Sequence, residues 1–126
     1  MVVHLDTHVV MWLYNRQADF LSSKVSALLK KNEQLFVSPM VLLEIQYMHE
    51  IKRLEQPAAA VKKWLEEHTS IKVAQTSFMK VIEKAKTLSW TRDAFDRLIT
   101  ATASAENAAL ITKDRVIQKH YKKAVW

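Results

Sequence analysis

Four short apolar runs, "VVHL" at residues 2–5, "LFV" at 35–37, "IKVA" at 71–74 and "ALIT" at 109–112, alternate with stretches of helical periodicity. Strand followed by helix, repeated along a chain, predicts an α/β fold. Its central sheet should be mainly parallel, of four to five strands, with helices on both faces in three layers. The first helical stretch carries Val9, Val10, Leu13 and Tyr14, and the second starts near Ser22 with Val25, Leu28 and Leu29 on one face. Ser38-Pro39 supplies a capping hydroxyl and a proline for the first helical position of a third helix, which the pattern carries to about Arg53 or Leu54. Pro57 opens a fourth through Trp64 and Leu65, and "FMKVIEKAKTL" reads as a fifth. A sixth covers 94–106 and stops at Asn107, a residue that tolerates the left-handed turn where glycine is usual. A short helix over 115–120 and a last strand "AVW" complete the pattern. No linker, repeat or low-complexity block interrupts it, so residues 1–126 read as a single domain.

Two residue types are absent, and each absence excludes chemistry. Without glycine there is no GxxxxGK[ST] or GxGxxG phosphate loop, which removes the nucleotide-binding enzymes built on them. Without cysteine there is no disulfide and no thiolate zinc site. No apolar run approaches the roughly 20 residues of a membrane span, and no basic segment leads an apolar one at the N-terminus, so a cytoplasmic protein is expected. The formal net charge of +6 favours polyanionic partners, although surplus lysine also serves solubility.

Against that positive balance, acids stand at unusual places. Asp6 follows "VVHL" directly, and Asp114 comes two residues after "ALIT". In open parallel sheets ligands bind outside the carboxyl ends of strands, although capping of the following helix accounts for either residue as well. Glu44 lies among Met40, Leu43, Tyr47, Met48 and Ile51, a spacing that predicts a carboxylate inside a buried stripe. Such a group needs a salt bridge, a wet edge or a cation. In "WTRDAFDRLITA", residues 90–101, Asp93 fits the N-cap and Asp96 the third helical position, beside a face formed by Phe95, Leu98, Ile99 and Thr102. Converging carboxylates repel unless protons or a cation offset them, and oxygen-only ligation suits Mg²⁺ or Mn²⁺. Arg92, Arg97, Lys113 and Arg115 flank the late acids and are candidate contacts to a phosphate backbone, or simply solvent-facing charges or members of local ion pairs. His4 alternates into the sheet as a structural residue, and His8 is placed near the mouth of any site at Asp6.

Taken in order, "HLDTHVVMWL", "VSPMVLLEI", "RDAFDRLITATA" and "ALITKD" resemble the successive motifs of PIN domains, and among them the VapC-type toxins of type II toxin–antitoxin pairs. The resemblance spans essentially the whole chain. It implies a Mg²⁺- or Mn²⁺-dependent endoribonuclease that hydrolyses RNA with metal-activated water, leaving a 5′-phosphate and a 3′-hydroxyl. By motif, Asp6, Glu44, Asp96 and Asp114 match the four acids of the catalytic and metal site. Asp93 matches a further acid of the "DPFDR" variant, here with Ala94 for proline, and Thr112 a supporting hydroxyl. The resemblance also implies a homodimer and a small VapB-like antitoxin with a DNA-binding N-terminus. Trp12, Leu13, Tyr47 and Met48 are then groove or dimer surfaces unless they pack in the core.

Other readings are weaker. A haloacid-dehalogenase-type phosphatase needs a second aspartate where His8 stands, and a receiver domain needs a phosphorylatable aspartate where Ser38-Pro39 stands. A PIN fold that only binds RNA or a partner would not require the full acidic set, and structure-specific DNA cleavage fits a longer chain better.

Overall fold

In the computed structural model, residues 1–31 and 34–126 are described. Five strands form one sheet: β1 (Val2–Leu5), β2 (Gln34–Val37), β3 (Lys72–Val73), β4 (Ala109–Ile111) and β5 (Ala124–Val125). Their order is β3-β2-β1-β4-β5 and every pairing is parallel. Val3 is in register with Leu35 on one side and Ala109 on the other, and Leu5 with Ile111. The chain therefore builds outward from β1 through β2 to β3, then returns to start β4 on the opposite side of β1. That reversal is a topological switch point, and it lies between β1 and β4.

The helices are α1 (Thr7–Tyr14), α2 (Ser23–Lys31), α3 (Pro39–Glu50), α4 (Ala58–His68), α5 (Phe78–Ala85), α6 (Ala94–Ala105) and α7 (Arg115–His120), with a short 3₁₀ turn at Ala18–Phe20. Burial explains why the inner strands are continuous apolar runs. Val3 and Leu5 are fully buried on one face of β1 and His4 is buried on the other, while all of β4 is buried. Helices cover both faces, as expected of a parallel sheet. Burial pushes the His4 imidazole down to about 4, so the ring is neutral at neutral pH; neither nitrogen has a hydrogen-bond partner among the described residues.

Several boundaries differ from the sequence pattern. The third helix stops at Glu50 rather than near Leu54, because Lys52 turns left-handed (φ 65°) and the Arg53 and Leu54 amides fold back onto the Met48 carbonyl. "FMKVIEKAKTL" is helical only to Ala85, and the Thr87 hydroxyl donates to the Lys84 carbonyl beyond its end. Asn107 takes the left-handed stop (φ 52°) that the sequence predicts. In a chain without glycine, Arg16, Lys52 and Asn107 carry the left-handed turns among the described residues, against an intrinsic cost of roughly 1–2 kcal/mol each.

The face of α3 that enters the core is also not the expected one. Val41 and Ile45 are fully buried, whereas Leu43, Tyr47 and Ile51 are 55%, 48% and 44% exposed. Glu44 therefore does not lie within a buried stripe. It stands half-buried at the edge between the core face and an outward apolar face, where it meets the sheet's carboxyl rim. The helix has apolar residues on two sides, so a period near 3.6 fits either.

Candidate active site

Strands β1, β2 and β4 end at one rim, and each hands its next residues to a helix start. Asp6 caps α1 and Ser38 caps α3, while Asp114 caps α7 after Thr112 and Lys113 leave β4. Helix α6 reaches this rim through a hydroxyl pair: Ser38 Oγ and Thr102 Oγ1 are 2.9 Å apart, and Thr102 also donates to the Leu98 carbonyl at 2.7 Å. Tyr47 and Phe95 pack ring against ring at 5.7 Å. These contacts bring the Glu44 helix and the Asp96 helix over the same strand ends.

The result is a cavity of about 270 Å³ lined by Asp6, His8, Trp12, Glu44, Asp96, Lys113 and Asp114. Asp6 is its fixed point. One carboxylate oxygen accepts the Thr7 amide at 2.8 Å, and the other accepts the Thr112 hydroxyl at 2.6 Å. Thr112 Oγ1 in turn accepts the Asp114 amide at 3.0 Å, and Asp114 accepts the Ile117 amide at 2.9 Å. One buried hydroxyl thus positions two acids. Replacing it, Thr112→Val, should destabilise the fold by about 1–3 kcal/mol, measured by a thermal melt, because the Asp114 amide and one Asp6 oxygen lose their partner. An unchanged melt would deny Thr112 that positioning role.

The carboxylates are coupled. Burial raises the Asp6 carboxyl above its ordinary value, opposed by the hydrogen bonds from Thr112 and Thr7 and by nearby His8, and Asp114 raises it further. Burial also raises Glu44, with Asp6 and Asp93 adding to the rise. The Thr7 hydroxyl offsets part of that shift, although at bonding geometry it has no partner. Asp96 is pushed up to about 7, first by burial and then by Asp93, Asp6, Asp114 and Glu44. Four separate segments of chain therefore place negative charge within electrostatic reach of one another.

Asp93 has the capping role: its carboxylate accepts the Asp96 amide at 3.0 Å, and it does not line the cavity. Of the four basic candidates only Lys113 lines it. Arg97 spends its guanidinium on the backbone of the α5–α6 connection, donating to the Ala85 carbonyl at 2.8 Å and to Thr91 at 3.2 Å. Arg92 and Arg115 are exposed outside the cavity lining. Sequence reasoning passed over Thr7, whose buried hydroxyl faces Glu44; the "DT" directly after the first strand was the available signal.

Divalent-cation binding fits the donor set, since the cavity gathers carboxylates that raise one another's pKa and leaves room for water. Among the described residues no group of three His, Asp or Glu side chains is already arranged to hold a metal ion. An ion would need side-chain adjustment or bridging waters, as magnesium's reluctance to dehydrate allows.

The sequence profile of the PIN domain matches residues 3–123. The chain is a PIN domain. It is 32% identical over 121 residues to Ribonuclease VapC22 of Mycobacterium tuberculosis, an alignment covering 94% of this chain and 91% of that protein. Its fold is that of two solved complexes. VapBC2 from Rickettsia felis, bound to a promoter DNA fragment, aligns with a TM-score of 0.68 at 21% identity, covering all of this chain and 98% of the other. A toxin–antitoxin complex from Klebsiella pneumoniae aligns with a TM-score of 0.68 at 16% identity, covering 98% and 96%. Within the PIN family the chain falls with the VapC proteins. Among the described residues of this PIN domain, no helix is long and apolar enough to cross a membrane.

Proposed function

We propose that this PIN domain is a Mg²⁺- or Mn²⁺-dependent endoribonuclease and the toxin of a VapBC-like pair acting in the cytoplasm. Nuclease chemistry follows the VapC relatives. The metal requirement is supported by one observation above the others: Asp6, Glu44, Asp96 and Asp114 line a single cavity at the sheet's switch point. A divalent ion held by Asp6, Asp96 and Asp114, with Glu44 on the ion or on the water, would offset their repulsion and activate water against an RNA phosphodiester. This chain's own residues supply the rest. Thr112 and the Thr7 amide hold the Asp6 carboxylate in one orientation, and Lys113 sits in the cavity wall where a phosphate oxygen needs a cation.

The partner follows from the solved relatives, which are complexes with antitoxins. A VapB-like antitoxin with a DNA-binding N-terminus is the proposed partner, and the outward Leu43, Tyr47 and Ile51 of α3 supply an apolar face for a homodimer. A purely RNA- or partner-binding role is disfavoured because such a protein has no use for four mutually repelling acids. The test is cleavage of structured RNAs by the purified chain in Mg²⁺, in Mn²⁺ and in EDTA. Cleavage with either ion and none in EDTA is expected; metal-independent cleavage, or none under any condition, would overturn the reading.

A further inference from the structure

Beside the acidic cavity lies a cluster of aromatic side chains that the hydrolytic role does not use. Two neighbouring elements and a residue more than a hundred positions away meet there: Trp12 from α1, Phe20 from the 3₁₀ turn and Trp126 from the stretch after β5. The Trp12 and Phe20 rings stack at 5.7 Å with 28° between their planes, and Trp126 lies 5.7 Å from Trp12 at a steeper tilt. The His8 ring lies 6.0 Å from that of Trp12. The Lys113 ammonium stands 5.9 Å from the centroids of both tryptophans.

Packing accounts for part of this arrangement, since Trp12 and Trp126 rest against the core. It does not account for Phe20, a residue 51% exposed while its ring stacks on Trp12. Nor does it require a lysine beside both indoles at the cavity wall. Trp12 and Lys113 belong both to the aromatic cluster and to the lining of the acidic cavity. A ligand lying on the cluster is therefore continuous with one that places a phosphodiester among the acids.

We propose that Trp12, Phe20 and Trp126, with Lys113, form a stacking shelf for one unpaired base of the RNA, adjacent to the phosphodiester held in the acidic cavity. The inference rests on the ribonuclease reading and deepens it. Its chemistry is that of single-strand recognition: aromatic faces take the base, and a cation takes the neighbouring phosphate. The rings themselves offer a π-face common to every base, so the shelf selects unpaired over paired nucleotides more strongly than it selects sequence. It gives the enzyme a preference for loops or single-stranded segments, because a base inside a duplex cannot reach the rings.

The experiment uses the full chain carrying Asp96→Asn to prevent turnover, titrated with a short unstructured RNA, the blunt duplex of the same sequence, and single strands carrying one abasic site at successive positions. Phe20→Ala and Trp126→Ala, each made separately, should weaken single-strand binding about 10-fold and leave the weaker duplex binding unchanged. One abasic position near the cleavage site should reproduce that loss, and Phe20→Tyr should restore binding. In the otherwise wild-type chain the same alanine variants should raise KM with little change in kcat. Lys113→Gln should lower the salt dependence of binding, which Phe20→Ala leaves intact. Unchanged single-strand affinity and KM in both alanine variants, beside a parent that cleaves RNA, would overturn the shelf and leave the ribonuclease standing. Loss of antitoxin affinity with RNA binding intact would assign the aromatics to the protein partner and equally overturn the proposal. A parent that neither binds nor cleaves RNA in Mn²⁺ would remove the ribonuclease reading itself, and the shelf with it.

Discussion

Asp6→Asn and Asp96→Asn should each reduce RNA cleavage by at least ~10³-fold, while Asp93→Asn should stay within about 10-fold of the wild type. The contrast comes from what each carboxylate touches. Asp6 accepts from Thr7 on one oxygen and from Thr112 on the other. An amide there turns its NH₂ toward a donor and removes the charge at the centre of the cavity. Asp96 caps nothing: its own amide is bonded by Asp93, and its side chain lines the cavity with a carboxyl raised to about 7. Its loss removes charge without removing structure. Asp93 caps α6, and asparagine caps a helix about as well as aspartate, so that variant keeps its fold and most of its activity. The measurement is kcat/KM on one RNA in saturating Mn²⁺, with melts confirming that all three variants are folded. Equal losses at Asp93 and Asp96 would move Asp93 into the ion-binding set and sink the division drawn here.

The division between these two aspartates shows where the sequence was legible. Asp6 and Asp114 were found because a strand end is visible as the end of an apolar run, and parallel strands bring such ends to one rim. The N-cap at Asp93 was visible because caps are local. Glu44 was located for a wrong reason. Leu43, Tyr47 and Ile51 keep a helical period but point outward, since periodicity reports that a helix has an apolar face and not which neighbour covers it. The place of Arg97 was not legible either. Its carbonyl partners at Ala85 and Thr91 exist only once α5 and α6 have packed. The Trp12–Phe20–Trp126 cluster was out of reach, because only the closed sheet carries residue 126 back to α1. The early end of α3 left no trace either, since nothing in its composition marks Lys52 for a left-handed turn.

Without a divalent ion, the chain should lose stability relative to its Asp96→Asn variant as pH rises from about 4 to about 7, and a saturating ion should restore it at the alkaline end. Asp96 has an ordinary value of 3.8 and a folded value of about 7. Below the first value both folded and unfolded chains hold the proton; between the two only the folded chain does. At this residue the unfolded state therefore binds fewer protons across the window, and its contribution to the free energy of unfolding falls as pH increases. Asp6 and Glu44 are raised as well and act in the same direction. His4, lowered from 6.5 to about 4, instead adds stability as pH rises, an opposite effect that wild type and Asp96→Asn share and their comparison cancels. The side chain of Asp96 is only partly buried, so solvent screening reduces the effect to about 1–2 kcal/mol, or roughly 5 °C in Tm. Asp96→Asn should remove that contribution and make the metal-free chain more stable than wild type at about pH 8. Adding Mn²⁺ should reverse that order, because the ion stabilises only a folded chain that retains its ligands, and its binding should release protons near neutral pH. Thermal melts of both chains at about pH 5 and about pH 8, with and without Mn²⁺, read the four corners of this cycle. A metal-free wild type that keeps the same stability difference from Asp96→Asn at the alkaline end as at the acidic end would mean that this acid does not strain the fold, and the electrostatic case for a resident cation would go with it.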